Sequence, residues 1–364
     1  MKIVHLTSAH SRYDTRIFLK QCTSLAANNY KVSLVVADGK GDDCKNNVFI
    51  FDVGAPRGRL DRIGNAPSRV FKKAMELNAD IYHLHDPELL PIGMKLKKKG
   101  KKVVFDIHEM TRLQIKSKQW IPAYLRNFTS LAFSKYEDYA CKRFDYLIVP
   151  QVEMKDFFSE FSKCQTIFNY PEADYNLSDS KRSPFNIVYS GGMSEERGMM
   201  NYIALIESLI LLDCRYKLIL ACKVSTKLAD IVNRSPAKES IELVGYVDFD
   251  SLLKIYKESL FGLILFNNVG QYYMANALKL FEYMRSGLVV VMPDFGHWVE
   301  FNEENQSGFN VNVKDSNEIA AMIHRQSLET LLEISKHNTE VSEAKFSWKS
   351  EVLKLINVYK EIEG

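Results

Sequence analysis

Residues 188–198 read VYSGGMSEERG, and this stretch carries the sharpest chemical signal in the chain. A β-branched run gives way to a glycine pair, and a helical pattern follows over 199–212. Glycines let a backbone approach a ligand closely, and the N-terminus of the following helix favours an anion. Arg197 sets a permanent positive charge at the same point. The stretch lacks the Gly-Lys-Ser/Thr ending of a P-loop and the spacing of a dinucleotide fingerprint. Gly191, Gly192 and Arg197 are therefore candidates for holding a phosphate group, with an ordinary strand-to-helix turn as the plainer account.

Residues 277–287 read ALKLFEYMRSG, and the apolar run 288–292 follows. Glu282 sits among Leu280, Phe281, Tyr283 and Met284, where a carboxylate is costly unless it meets donors. Paired sugar hydroxyls are such donors. A surface pairing with Lys279 or Arg285 is the plainer account. A third cluster lies at the ends of two apolar runs, YHLHDPE at 82–88 and FDIHE at 105–109. An open sheet places its ligands at such strand ends. Imidazole beside carboxylate there suits proton transfer or recognition of a polar substrate. His83 reads as a core histidine facing the other side of its strand from His85. The His-x-His-Asp spacing has a metal-like look, but no further ligands follow at metal spacing, so the site reads as metal-free.

To position these residues, strands must alternate with helices. Candidate strands fall at 2–6, 32–37, 48–53, 81–84, 102–106, 146–149 and 166–168. Helical patterns occupy 16–28, 69–77, 89–98 and 121–143. This alternation means βαβ units around a parallel sheet. Residues 169–184 are polar, hold two prolines and lack periodicity, which reads as a linker. A second series places strands at 186–189, 217–221, 241–244, 262–265, 288–292 and 309–311. The expected fold class is α/β, with two Rossmann-like doubly wound domains facing a cleft. The domains are 1–168 and 185–345, joined by 169–184, and the helix at 346–364 caps its own domain or crosses back to the first.

Composition agrees with this class. A chain of 364 residues suits two cores rather than one. A net charge of +3 calls for no nucleic acid partner but suits anionic substrates or an anionic membrane face. The six cysteines show no metal or disulfide spacing, which points to a reducing, cytoplasmic setting. No run approaches the roughly 18 apolar residues of a membrane span. Residues 116–143 do carry Trp120, Ile121, Tyr124, Leu125, Phe128, Leu131 and Phe133, interspersed with Lys116, Lys118, Arg126 and Lys135. This pattern suits a helix lying in a membrane interface, with burial in the core as the alternative.

Several motifs together resemble the retaining glycosyltransferases of the GT-B fold, a large family that includes bacterial surface-polysaccharide and glycogen-synthase-like enzymes. They are Asp14-Thr15-Arg16-Ile17, HLHDPELLPIG at 83–93, FDIHE, YSGGMSEERG and LKLFEYMRSG, in the expected order along nearly the whole chain. The resemblance implies transfer of a sugar from a nucleoside-diphosphate donor, UDP- or GDP-linked, to a saccharide or lipid-linked saccharide, with retention and without a metal or other cofactor. It implies that Arg197 grips the diphosphate above Gly191 and Gly192, that Leu278 and Lys279 lie near the phosphates, and that Glu282 holds the ribose. It also implies that His108 contacts the transferred sugar, with Arg16, His85, Asp86 and Glu109 on the acceptor side. Two positions depart from the family pattern. Met274 stands where the first of two paired glutamates is expected, and Gly192 where many members have arginine. Lys223 is the expected substitute charge. The rival readings are a nucleotide-sugar epimerase or hydrolase on the same fold, or a non-catalytic partner subunit. Two other motifs read as structural. Asp248-Phe249-Asp250 has the form of a sugar-transferase metal motif but suits a helix N-cap. KLKKKGKK at 95–102 suits a helix end, where cations meet the dipole.

Overall fold

The computed structural model describes residues 1–117, 121–172, 182–273 and 277–363. It comprises two compact units, Met1–Asn169 with Trp348–Gly364, and Tyr170–Ser347. Much of the expected linker, 173–181, lies outside the described residues, and the last part of it is already strand.

The first unit holds one sheet of eight strands: β1 Lys2–Leu6, β2 Lys31–Val36, β3 Asp43–Lys45, β4 Val48–Asp52, β5 Ile81–Leu84, β6 Lys102–Asp106, β7 Tyr146–Val149 and β8 Cys164–Thr166. Their order is β3-β4-β2-β1-β5-β6-β7-β8, and only β3 runs antiparallel to its neighbour. Helices cover both faces, so the central strands are apolar on both sides. Val4 and Leu6 of β1 join one core cluster, while Ile3 joins the other. The helix Trp348–Glu363 buries Trp348, Leu355, Tyr359 and Ile362 in that second cluster, beside Ile17, Phe18 and Ile148.

The second unit holds β9 Ser183–Ser190, β10 Lys217–Ala221, β11 Ile241–Leu243, β12 Ser259–Leu263, β13 Val289–Pro293 and β14 Gly308–Val311. The order β11-β10-β9-β12-β13-β14 is wholly parallel. Counted within its own unit, this is the strand order of the dinucleotide-binding Rossmann sheet. In each sheet the winding reverses, between β1 and β5 in one and between β9 and β12 in the other. Such reversals leave a crevice beyond the carboxyl ends of the strands.

Two local features differ from the sequence reading and bear on the site. The helical pattern from residue 16 is a π-helix, Thr15–Cys22, that continues as the α-helix Thr23–Ala27. Its i→i+5 winding sets residues five apart on one face. The expectation that His83 and His85 face opposite sides is overturned. Residues two apart share a strand face, and the two rings stack with centroids 4.6 Å apart.

Candidate active site

In the first unit the site grows from Asp106, the fully buried last residue of β6. Arg16 clamps its carboxylate with two bonds, Nε to Oδ2 at 2.9 Å and Nη2 to Oδ1 at 2.8 Å. Gln21, one π-turn further on, donates to Oδ2 at 2.6 Å. Burial alone would raise this carboxyl's pKa. The Arg16 charge and the neighbouring His108 reverse that and hold it well below the ordinary range. Arg16 also donates from Nη1 to the Ile167 carbonyl at 2.8 Å. The structure thus corrects the acceptor-side reading of Arg16: its donors are used inside the protein, and it positions Asp106.

Asp86 is corrected in the same way. It is fully buried, and it accepts from Thr7 Oγ1 at 2.9 Å, from the backbone N–H of Ser8, and from that of Ala9 at 3.1 Å. His10 Nδ1 lies 2.7 Å from its other oxygen. Burial opposes charge on both partners, but their pairing wins, raising the His10 pKa and lowering that of Asp86. Asp86 therefore pins the loop after β1. His85 is buried too, with its ring nitrogens facing His5 and His108. Of the acceptor-side candidates, His108 and Glu109 reach the surface. Glu109 accepts from Gln114 Nε2.

Two groups here lie close enough to share an ion: His5, His83 and His85, and His85, Asp106 and His108. The first three rings are within 14–35° of parallel. Nitrogens of all three are already engaged: His5 Nδ1 lies 2.9 Å from His85 Nε2, and His83 Nδ1 lies 2.6 Å from Tyr359 Oη. In the second group Asp106 is already engaged by Arg16 and Gln21. Neither donor set fits a metal well.

In the second unit, β9 delivers Gly191 and the loop to Gly198. Gly198 has φ 79°, and a Cβ there would stand 1.9 Å from the Leu265 carbonyl oxygen. Only glycine lets the loop close against the chain leaving β12. Asn267 Nδ2 donates to the Glu195 carbonyl at 2.6 Å, and Asn201 Nδ2 to the Leu265 carbonyl at 2.8 Å. The loop is therefore held from both sides of the switch point.

Arg197 folds back over this loop. Its Nη1 donates to the Gly192 carbonyl at 3.1 Å and its Nε to Tyr272 Oη at 3.2 Å. A Cβ on Gly192 would lie 2.7 Å from Nη1. The end of the Arg197 side chain lies where a side chain at 192 would enter, so a larger residue there would displace it. Lys279, in the first turn of the helix Leu278–Arg285, points at the same loop. Its Nζ lies 3.7 Å from the Tyr189 ring centroid and 3.4 Å from where a Cβ on Gly191 would stand. Lys279 is buried, and Nζ has no hydrogen-bond partner among the described residues. Burial and then the Arg197 charge push its pKa well below the ordinary lysine value, against a weaker pull from Glu282. An unpartnered buried ammonium beside a guanidinium is costly in the free protein, and an anion would relieve both. Lys223, by contrast, lies exposed after β10. The second positive charge at the glycine turn comes from Lys279.

Glu282 is half-buried and accepts from Tyr256 Oη at 3.4 Å. Tyr256 Oη also meets Ser190 Oγ at 2.6 Å, which links Glu282 to the end of β9. Arg285 pairs with Glu343 at 3.3 Å. Leu278 is half-buried at the helix start, and Met274 lies outside the described residues. Asp248 caps the helix Phe249–Glu258, accepting from the Ser251 N–H at 2.8 Å, in keeping with the N-cap reading.

Residues 15–169 match Glycosyltransferase Family 4, and residues 184–327 match Glycosyl transferases group 1. The chain is a glycosyltransferase. Its fold is also that of solved glycosyltransferase structures. Sucrose-phosphate synthase from Thermosynechococcus elongatus superposes with TM-score 0.75 at 14% identity, over 99% of this chain and 98% of that one. HepE from Anabaena, solved with UDP and glucose, gives 0.73 at 14% identity, over 99% and 100%. The E. coli trehalose-6-phosphate structure bound with UDP-2-fluoro glucose gives 0.71 at 14% identity, over 98% of each. A comparison with curated proteins finds no match.

Sequence reasoning missed several residues of this glycosyltransferase's site. His5 and His10 flank the end of β1, as His83, His85 and His108 flank the ends of β5 and β6. Histidines at or just beyond the carboxyl ends of three neighbouring strands were the available signal. Tyr272 and Tyr359 carried none, because each reaches its partner from a distant part of the chain.

Proposed function

We propose that the enzyme transfers a hexose from a UDP-linked donor to a saccharide or lipid-linked saccharide, with retention and without a metal, in the assembly of a bacterial surface polysaccharide. The observation that carries the donor reading is the convergence of Arg197 and the unpartnered Lys279 on the Gly191–Gly192 turn. When the bond from sugar to phosphate breaks, the leaving diphosphate gains charge, and Arg197, the protonated Lys279 and the helix N-terminus at Leu278 stabilise it. Glu282 takes the ribose hydroxyls. On the first domain, His108 and Glu109 meet the sugars, and His108 is backed by His85 and by Asp106, which Arg16 holds. The choice of UDP draws on HepE and the E. coli structure, which hold UDP or a UDP-sugar. We further propose a peripheral, cytoplasmic placement against an anionic membrane, through the outward face of the helix Ala123–Cys141.

A thermal-shift panel of UDP, GDP, ADP, CMP and TDP tests the donor reading. UDP is expected to raise the melting temperature most, since a ligand present at 100 times its Kd stabilises by about 2.7 kcal/mol. The shift is expected to survive EDTA. No shift with any diphosphate would remove the donor site, and a shift lost in EDTA would remove the metal-free mechanism.

A further inference from the structure

Five side chains of the first unit form a continuous chain of hydrogen bonds from the C-terminal helix to His108. His83 Nδ1 lies 2.6 Å from Tyr359 Oη, and Tyr359 Oη lies 3.4 Å from His5 Nε2. His5 Nδ1 lies 2.9 Å from His85 Nε2, and His85 Nδ1 lies 3.2 Å from His108 Nε2. The ring planes of His5 and His85 lie within 14° of parallel, with centroids 5.1 Å apart. The strands enforce the arrangement, because His5 of β1 is in register with His83 of β5. His5, His83, His85 and Tyr359 are fully or almost fully buried, and the His108 side chain is 18% exposed.

We propose that Tyr359, His5 and His85 are positioning residues that fix His108, when neutral, as the Nδ1–H tautomer, so that the nitrogen left for a ligand is a hydrogen-bond donor. The argument starts at the closed end. His83 Nε2 is buried with no partner among the described residues. A buried N–H without an acceptor is rarer than an acceptor without a donor, so His83 carries its proton on Nδ1 and gives it to Tyr359 Oη. The Tyr359 hydroxyl proton then goes to His5 Nε2. A neutral imidazole has one N–H and one lone pair, so His5 donates from Nδ1 to His85 Nε2. His85 in turn donates from Nδ1 to His108 Nε2. That nitrogen must accept, and the proton of neutral His108 is left on Nδ1.

The buried members stay neutral. Burial lowers the His83 pKa to about 3, and it takes those of His5 and His85 well below the ordinary value. Asp106 does not choose the direction. Its Oδ2 is 3.7 Å from His85 Nδ1 and 3.6 Å from His108 Nε2, beyond hydrogen-bond distance of both, and its pull on His108 is that of a carboxylate on the charged ring rather than on the neutral one. His10, whose ring centroid is 4.8 Å from that of His108, is the other titratable neighbour, and it is bound to Asp86. The use of this donor on a sugar oxygen rests on the glycosyl-transfer reading above. The tautomer itself does not.

Long-range proton–nitrogen correlation spectra of the full chain with ¹⁵N-labelled histidine decide the matter. They are recorded above the ordinary histidine pKa of about 6.5, with the His108 signals assigned by their loss in His108→Gln. The expected result is the Nδ1–H pattern for His108 in the unsubstituted protein and a shift toward a mixed pattern in Tyr359→Phe. An Nε2–H pattern in the unsubstituted protein overturns the relay, and that spectrum needs no variant at position 359 to fold. A pattern unchanged in a folded Tyr359→Phe overturns the role of the C-terminal helix. The spectra contain no donor or acceptor, so they stand apart from any test of glycosyl transfer.

Discussion

Stability and function pull in opposite directions at Lys279. Its Nζ is buried over the Tyr189 ring, has no hydrogen-bond partner among the described residues and stands near Arg197, so charging it in the free protein is costly. In the proposed donor site the same features would favour a diphosphate. Lys279→Met keeps the length of the side chain and removes the charge. The variant is expected to melt at a higher temperature than the parent when free, by an amount reflecting about 1–3 kcal/mol, and to lose most of its UDP-induced shift. Opposite signs in the two measurements are the signature of a ligand-holding residue. A merely structural lysine would lower both. The lowered pKa adds a pH dependence with a definite sign. A diphosphate favours the charged lysine, so binding above the lowered pKa takes up a proton, and affinity falls as pH rises toward the ordinary value of about 10.4. The unfolded chain also holds that proton, so the free protein gains stability from this group as pH rises over the same window. Titration calorimetry in two buffers of different ionisation enthalpy reads the uptake directly. Sequence reasoning singled out Arg197, Lys279 and Glu282 because each stands in a recognisable local string, and the structure brings Arg197 and Lys279 to the same glycine turn. It named Lys223 beside Lys279 as a source of charge, and Lys223 lies exposed after β10, because no local string tells which lysine side chain is folded inward.

Elements were legible where hydrophobic period and turn residues agree, and less so where tertiary burial overrides them. β1, β5, β6, β7 and β10 fall where the apolar runs place them. The helix Arg59–Leu77 begins ten residues before its expected start at 69, because Gly64 and Pro67 read as breakers. Pro67 is nevertheless tolerated inside it, buried with Ala66, Val70 and Ala74. The π-winding of Thr15–Cys22 was also hidden, because its rationale lies in Asp106, 90 residues away from Arg16. The loop after β9 shows how one element positions chemistry. Gly198 turns the chain with a left-handed φ while its backbone presses on Leu265. Gly198→Ala is expected to destabilise the protein by more than about 1 kcal/mol and to weaken UDP binding further, because Arg197 is its chain neighbour. Urea unfolding gives the first quantity. UDP titration at a temperature where the variant is folded gives the second. Full UDP affinity in the folded variant would show that the loop geometry does not set the position of Arg197.

At the scale of the whole molecule, the alternation of strands and helices made two Rossmann-like domains readable, since each strand is an apolar run flanked by turns. The route of the final helix was left open between its own domain and the first, because an amphipathic segment does not encode which distant core it joins. The structure assigns Trp348–Gly364 to the first unit, where Tyr359 reaches His83. A similar ambiguity surrounded residues 116–143, whose apolar content suited either a core or a membrane interface. In the helix Ala123–Cys141 the buried residues are Ser130, Glu137, Ala140 and Cys141. Tyr124, Phe128 and Leu131 are 82%, 72% and 57% exposed. With the exposed Lys135 they form one outward stripe at helical spacing. Ile121 is buried, and Lys118 and Trp120 lie outside the described residues. No helix among the described residues is long and apolar enough to cross a membrane. Nearby cations, Lys116 and Lys135 among them, would each add about 1 kcal/mol of attraction to an anionic surface. The protein is therefore expected to sediment with vesicles containing anionic lipid at low salt and to be released as salt rises. Replacing Tyr124, Phe128 and Leu131 together with serine is expected to leave it in the supernatant with its UDP-induced thermal shift intact, since none of the three touches the donor loop. If the unsubstituted protein stays in the supernatant at low salt, the membrane placement fails, and a water-soluble acceptor takes the place of a lipid-linked one.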